Sequence, residues 1–337
     1  MANITRTITI TGKVLRILPL REVEVGDETK KVVDLIIADE FDYKRVSCWD
    51  EKAELVIHGD IKAGDVLKIE NARVHDETRA GSGKRVNAGK YTRIRVISAN
   101  SAPLNRAPAQ RLTVLAVARP EHGRVCIAGI DENGEWIRPQ GVYEHDVFCA
   151  GAGEGAGGVN FKNLCISKIY VDAWRGRRPR KEDRFFVYAD GVERELSEGE
   201  KRDFLERNVD GSVDEVFKRG RSLGLIKPRI LHVYEEPAGK KTGKGKGKGY
   251  EQYIRLNFKD SSGRTYRRWS CRCDEFYKTW NEFKKKHRWT YGLRMLRYLR
   301  KNDTYLAVGL TYTDYGIGRL EYGAYPMIVG VHIMPQM

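Results

Sequence analysis

No run of about 18 apolar residues occurs in this 337-residue chain, so no helical membrane span is expected. The opening MANITRTITI lacks the apolar segment of a signal peptide, which leads us to expect a cytoplasmic protein. Cysteine is sparse. The six, at 48, 126, 149, 165, 271 and 273, lack the spacing of a disulfide framework and read as reduced, mostly buried thiols. A phosphate loop of the form GxxxxGK[ST] is absent. Gly153, Gly155 and Gly158 match a dinucleotide loop formally, but strand-like sequence follows where a helix would be required. Cys271 and Cys273 are too close together for a zinc site, and His287 would bring the set to three ligands at most. No metal and no other cofactor is therefore expected. No paired carboxylates stand out either, so a protein without catalytic activity is expected. A nuclease, whose Asp and Glu residues need no local motif, is the enzymatic alternative.

What the chain does have is folded-protein composition and localised charge. Hydrophobic residues make up 41% and aromatics 10%, which argues against disorder. The net charge is +15, and its position matters. Residues 1–100 hold 18 Lys/Arg against 16 Asp/Glu, whereas residues 238–301 hold 20 against 5. That one segment carries a surplus equal to the whole chain's. An even spread would serve solubility; concentration in one segment points to a polyanion, usually nucleic acid. An acidic protein surface is the competing partner.

Strand patterns dominate. VVDLIIAD (32–39), KRVSCW (44–49), VLKIENARV (66–74) and YTRIRVIS (91–98) read as strands, and DEKAELV (50–56) reads as a short helix. Five short strands with a small helix between strands three and four is the order of an OB-fold barrel. ANSAPLNRAPAQ (99–110) is linker-like. A second strand-rich region follows over 111–227, with a helical insertion opened by the capping-box sequence SEGE at 197. A third region, 228–337, has strands, two helices (274–288 and 290–301) and two closing strands. The fold expected is mainly β with a few helices: an N-terminal OB barrel over 1–98, then two further OB-like barrels.

Alternation along the strands picks out candidate contacts. In KRVSCW, Val46 and Cys48 share one face, leaving Arg45, Ser47 and Trp49 on the other. In YTRIRV the outer set is Tyr91, Arg93 and Arg95, opposite Thr92, Ile94 and Val96. Were these strands neighbours, two aromatics and three arginines would form a platform for stacking bases and gripping phosphates. Alternatively, Trp49 folds over a barrel end against Ala53 and Leu55.

The segments IIADEFDYKRVSCWDEKAELV, IKAGDVLKIENARV and VNAGKYTRI resemble the OB domain of archaeal single-stranded DNA-binding proteins and replication protein A, over about residues 10–98. The resemblance implies an OB barrel that binds single-stranded DNA. It also implies that Trp49, matching the tryptophan that ends the family's LW strand, is held outward to stack on a base. Two further aromatic positions of the family are Arg73 and Glu77 here, and the turn glycine is replaced by Phe41-Asp42. Arg73 can still grip a phosphate or stack through its guanidinium plane. The remainder, through GEWIRPQGVY (134–143) and the closing YLAVGLTYTDYG and YPMIVGVHIMP, resembles the poorly characterised dual OB-containing domain family. That resemblance implies two more barrels.

The basic segment adds three candidate elements. TGKGKGKG (242–249) alternates Lys244, Lys246 and Lys248 with glycine and reads as a hairpin tip that sweeps phosphates, or as a solvated loop. RTYRRWSCR offers Tyr266, Arg268, Ser270 and Arg272 on one face, and YIRLNF offers Tyr253, Arg255 and Asn257. In the helices, Phe276, Trp280 and Phe283 form a core stripe. Arg294, Arg297 and Arg300 form a row that suits either a phosphate backbone or solvent.

The sequence thus leads us to expect a non-enzymatic binder of single-stranded nucleic acid, DNA before RNA, serving replication, repair or genome maintenance. An RNA- or ribosome-binding OB protein is the first alternative. An adaptor whose first barrel binds a protein of the replication or repair machinery is the second.

Overall fold

The computed structural model describes residues 5–38, 43–75, 85–99, 109–118, 125–147, 159–173, 180–237, 252–311 and 321–335. Among them the strands form three successive barrels with one shared order.

In the first, β1 (Thr5–Ile17), β2 (Arg21–Val25), β3 (Glu28–Ala38) and β4 (Tyr43–Trp49) lead into α1 (Glu51–His58). β5 (Val66–His75), β6 (Arg85–Ala88) and β7 (Arg93–Ser98) complete it. The ring runs β1-β3-β4-β6-β5 and closes through β5 onto β1, with β2 pairing on β3 and β7 on β5. β4 and β6 run parallel, Val46 facing Val86. Alternation sends Val33, Leu35, Ile37, Val46 and Cys48 into one apolar core.

The second barrel is β8 (Gln110–Ala118), β9 (Cys126–Asp131), β10 (Trp136–Gln140), the single turn α2 (Glu144–Val147), β11 (Cys165–Ala173) and β12 (Asp183–Glu195). It closes in the order β10-β12-β11-β8-β9, again with third and fifth strands parallel. Two helices follow, α3 (Glu198–Arg207) and α4 (Val213–Lys218). The expected capping box is formed at α3: Glu200 N–H donates to Ser197 Oγ and Ser197 N–H to the Glu200 carboxylate.

The third barrel starts with β13 (Leu223–Ile226) and β14 (Arg229–Pro237), separated by Lys227-Pro228, where proline removes a backbone donor. β15 (Gln252–Lys259) and β16 (Thr265–Cys271) precede α5 (Asp274–His287), a 3₁₀ turn (Arg288–Thr290) and α6 (Tyr291–Lys301). β17 (Asp303–Leu310) and β18 (Pro326–Met334) close it. β14 pairs β15 while β13 pairs β17, so the kinked first strand joins both ends of the sheet. β16 and β18 are the parallel third and fifth strands. All three units are OB barrels by this order, in agreement with the expected mainly β class.

Barrels two and three share a core. Leu115, Ala116, Leu205, Leu223, Tyr305 and Val329 belong to one buried cluster drawn from both. His332 Nε2 lies 2.9 Å from the Leu115 carbonyl, and a Cβ on Gly330 would fall on that same oxygen. Only glycine lets the strands meet so closely. The first barrel meets the second through polar contacts instead, Arg16 to Asp190 and Arg45 to Asp146. Cys48, Cys165, Cys271 and Cys273 are buried and Cys126 half-buried, all with free thiols. No helix among the described residues is long and apolar enough to cross a membrane.

Candidate nucleic-acid interface

An OB barrel presents the outer face of its second and third strands to ligands, together with two flanking loops. In the first barrel those strands are β3 and β4, and their outer face is already occupied. Asp34, fully buried, accepts from Arg21 at 2.5 Å, from Arg45 at 2.7 Å and from Ser47 at 2.6 Å. Arg45 Nη1 then reaches Asp146 of the second barrel at 2.6 Å. Burial alone would push the Asp34 carboxyl up; Arg45 and Arg21 outweigh it and hold it below its usual value. Burial likewise opposes the Arg45 charge, and Asp146 and Asp34 overcome that and raise its pKa. The assignment of Arg45 as a phosphate contact is therefore corrected. It is an inter-barrel ion pair, made possible because its strand faces a neighbouring barrel rather than solvent.

Trp49 is half-buried rather than held out, because its indole N–H donates to Asn87 Oδ1 at 3.0 Å across the β4–β6 seam. Nor do the two expected strands lie side by side. β6 is the neighbour of β4, while β7, carrying Arg93 and Arg95, runs along β5. Arg95 sits 3.5 Å from Glu70. Tyr91, in the turn before β7, is 70% exposed, and Arg73 and Arg93 are exposed with no ion pair among the described residues. Arg73 pairs with Asn87 across the β5–β6 ladder, which places it in the same cross-strand row as the acceptor of the Trp49 N–H. What the first barrel presents is thus Tyr91, Arg73 and Arg93 at the β5–β7 side.

In the third barrel the equivalent strands are β15 and β16. Tyr253 and Arg255 lie on the outer face of β15, with Ser270 paired opposite Arg255. The Arg272 guanidinium lies 4.7 Å from the Tyr253 ring centroid and that of Arg255 5.4 Å. Arg255 is also bound to Glu236 at 2.7 Å, and Arg268 shares that carboxylate at 2.5 Å. Glu236 is held below its usual pKa by Arg255. Arg272 differs. It makes no ion pair among the described residues, and its Nη1 is buried without an acceptor. A cation held on a ring instead of a carboxylate can take a phosphate without first breaking a pair.

Tyr266 is a second correction. It is buried in the core, its ring 5.2 Å from Phe258 and 5.4 Å from Trp269. Simple alternation fails because the β15–β16 register shifts between Leu256 and Phe258, and Arg268 takes a left-handed φ of 59°. That bulge turns Tyr266 and Trp269 to the same side. Lys244, Lys246 and Lys248 lie outside the described residues; in the chain they belong to the connection from β14 to β15. The arginine row on α6 shrinks to two, since Arg300 donates to the Ile230 and Leu231 carbonyls at 2.8 Å. The core stripe stands: Phe276 and Trp280 are buried and Phe283 packs on them. Sequence reasoning missed Asn87, Glu236 and Asp146, which are joined to their partners only by strand register and barrel contact.

No family model matches the chain, so the resemblance to the dual OB-containing domain family rests on the quoted segments and on the barrels. Replication factor A of Methanothermobacter thermautotrophicus is similar over 88 residues at 36% identity, covering 26% of this chain. The chain spans about 10% of that protein's length. Among solved structures, the OB domain of a Thermoplasma acidophilum protein is 24% identical, with 30% of this chain and 82% of that one covered at a TM-score of 0.22. A replication protein A heterotrimer bound to single-stranded DNA is 10% identical, with 100% and 94% covered at a TM-score of 0.29. The first barrel is replication protein A-like in sequence, and the chain's fold is that of OB proteins.

Proposed function

We propose that this protein binds single-stranded nucleic acid, DNA in preference to RNA, and acts in replication, repair or genome maintenance without catalysing a reaction on the strand. The observation that carries this reading is the Arg272–Tyr253 pair on the ligand face of the third barrel, a ring and an uncommitted guanidinium side by side. The segment around it holds 20 Lys/Arg against 5 Asp/Glu. Rings of this kind take bases at about 1–3 kcal/mol each, while arginines and lysines take phosphates in a salt-dependent way. In the chain, the lysines at 244, 246 and 248 fall between the barrel's first two strands, the position of one of the two connections OB barrels use for ligands. The preference for DNA is supported by the chain's 88-residue similarity to a replication factor. In that barrel, Tyr91, Arg73 and Arg93 make a secondary contact.

The test is an anisotropy titration of the full chain with a labelled ~30-mer of single-stranded DNA, the matching duplex and single-stranded RNA, each at two salt concentrations. Tightest binding to single-stranded DNA, with tryptophan quenching, supports the reading. Equal, purely salt-controlled binding to all three contradicts it, and a preference for structured RNA moves the protein to the RNA binders.

A further inference from the structure

The hairpin of α5 and α6 is inserted between the third and fourth strands of the third barrel, and its inner side is fixed. Phe276, Trp280, Met295 and Leu299 are buried in the barrel's core cluster, and the Trp280 ring meets Tyr291 edge-on at 5.3 Å. Lys284 is tied to Glu235 at 2.8 Å. The hairpin is therefore a rigid projection. At its tip Arg288 adopts a left-handed φ of 41°, ending α5, and the next residue, Trp289, is 96% exposed. An indole loses more than most side chains by staying in water, so a fully exposed one on a rigid support marks a contact site.

Its surroundings say what kind. Residues 283–301 hold eight Lys/Arg and no Asp/Glu. Lys284 and Arg300 are used internally, the latter on two backbone carbonyls. Lys285, Lys286, Arg288, Arg294, Arg297 and Lys301 make no ion pair among the described residues. Desolvation lowers the pKa of His287, and the neighbouring Arg294 and Lys286 charges lower it further. Leu293, on the first turn of α6, is 54% exposed as well. A membrane-seeking helix would turn a stripe of apolar residues outward, but on α6 Met295 and Leu299 point into the core. One flat ring ringed by unpaired cations matches an unpaired base flanked by phosphates.

We propose that Trp289, at the tip of the α5–α6 hairpin, is a second base-stacking site for single-stranded nucleic acid, with Lys286, Arg288 and Arg294 holding the adjoining phosphates. This site rests on the single-strand reading above and lies off the strand face that carries Tyr253 and Arg272. It extends the path of a bound strand from the barrel face to the helical tip.

The experiment compares the full chain with Trp289→Ala, Trp289→Phe and Lys286→Ala/Arg294→Ala by anisotropy, using labelled oligo-dT of ~30 nucleotides over a salt series. Because Trp289 is exposed, unchanged thermal unfolding will confirm that each variant is folded. Trp289→Ala should bind about tenfold more weakly with an unchanged salt slope, and Trp289→Phe should recover most of the loss. The double cation variant should flatten the slope. If the parent chain binds and Trp289→Ala binds equally well, the tip site is wrong while the single-strand reading stands. If the parent chain fails to bind, both fall. Binding to 3:1 phosphatidylcholine:phosphatidylglycerol vesicles that Trp289→Ala abolishes, with oligo-dT binding unaffected, would reassign the tip to a lipid surface and overturn the proposal.

Discussion

Arg45 of the first barrel and Asp146 of the second are joined at 2.6 Å, although 101 residues separate them in sequence. Through Arg45 the pair extends to Asp34, so one guanidinium serves two carboxylates, one from each barrel. The strand face by which an OB barrel usually holds its ligand is here a joint between barrels. Arg45→Ala would remove the cation that Asp34, which keeps Arg21, shares with Asp146, and losing one member of such a buried network costs up to about 3–5 kcal/mol. Urea denaturation should show that loss, and nucleic-acid affinity per folded molecule should change little. Asp34 adds a pH signature. Its folded pKa is depressed, so its contribution is complete above its unfolded value of about 3.9 and is lost as the pH falls through the folded value.

The joint between the second and third barrels titrates in a higher range. Burial lowers the pKa of His332 to about 4, only partly offset by its bond to the Leu115 carbonyl. Between the unfolded value of 6.5 and about 4 the unfolded chain binds more protons, so stability falls as the pH is lowered through that window. The full loss is roughly 3 kcal/mol. Thermal unfolding from pH 7.5 to 4 should show this slope, and His332→Gln should reduce it.

Tyr266 and Arg272 sit six residues apart with opposite duties. Tyr266→Ala opens a cavity beside Phe258 and Trp269 and should cost about 3–5 kcal/mol of stability. Arg272→Ala should leave unfolding nearly unchanged, weaken single-strand binding, and reduce the salt slope by about one. Denaturation and anisotropy on both variants give the comparison.

Removing the three lysines between β14 and β15 tests the electrostatic part of strand binding. Lys244, Lys246 and Lys248 replaced together by alanine should lower the magnitude of the salt slope by about 2, at roughly 0.7 per lost phosphate contact on a single strand. Stability should not change.

Rings should behave in the opposite way. Tyr91→Ala should weaken binding severalfold with the slope intact. Trp49→Ala should weaken binding less and also destabilise the barrel, because the indole is half-buried and donates to Asn87. Anisotropy at two salt concentrations and thermal melts separate the two effects.

The three-barrel order was legible because it depends on local pattern: runs such as VVDLIIA, a short helix after the third strand, and punctuating glycines. Inner and outer residues on β4 followed from alternation, and Val46 and Cys48 are indeed buried. Tyr266 escaped because a bulge breaks the period of two, and nothing in RTYRRWSC marks where the bulge falls. Arg45 escaped for another reason. Alternation says that a side chain leaves its own barrel, not what waits outside, and Asp146 is supplied by packing between barrels. Trp289 belonged to no stripe, and its exposure follows from a left-handed Arg288 that spacing does not reveal.

The most direct measurement is photo-crosslinking of the full chain to a bromodeoxyuridine-containing single strand, with the attached peptides mapped by mass spectrometry. The account predicts attachment in the third barrel, at the segments bearing Tyr253 and Trp289, with a weaker product at Tyr91. Attachment confined to residues 32–49 of the first barrel, with the third barrel unmarked, would contradict it.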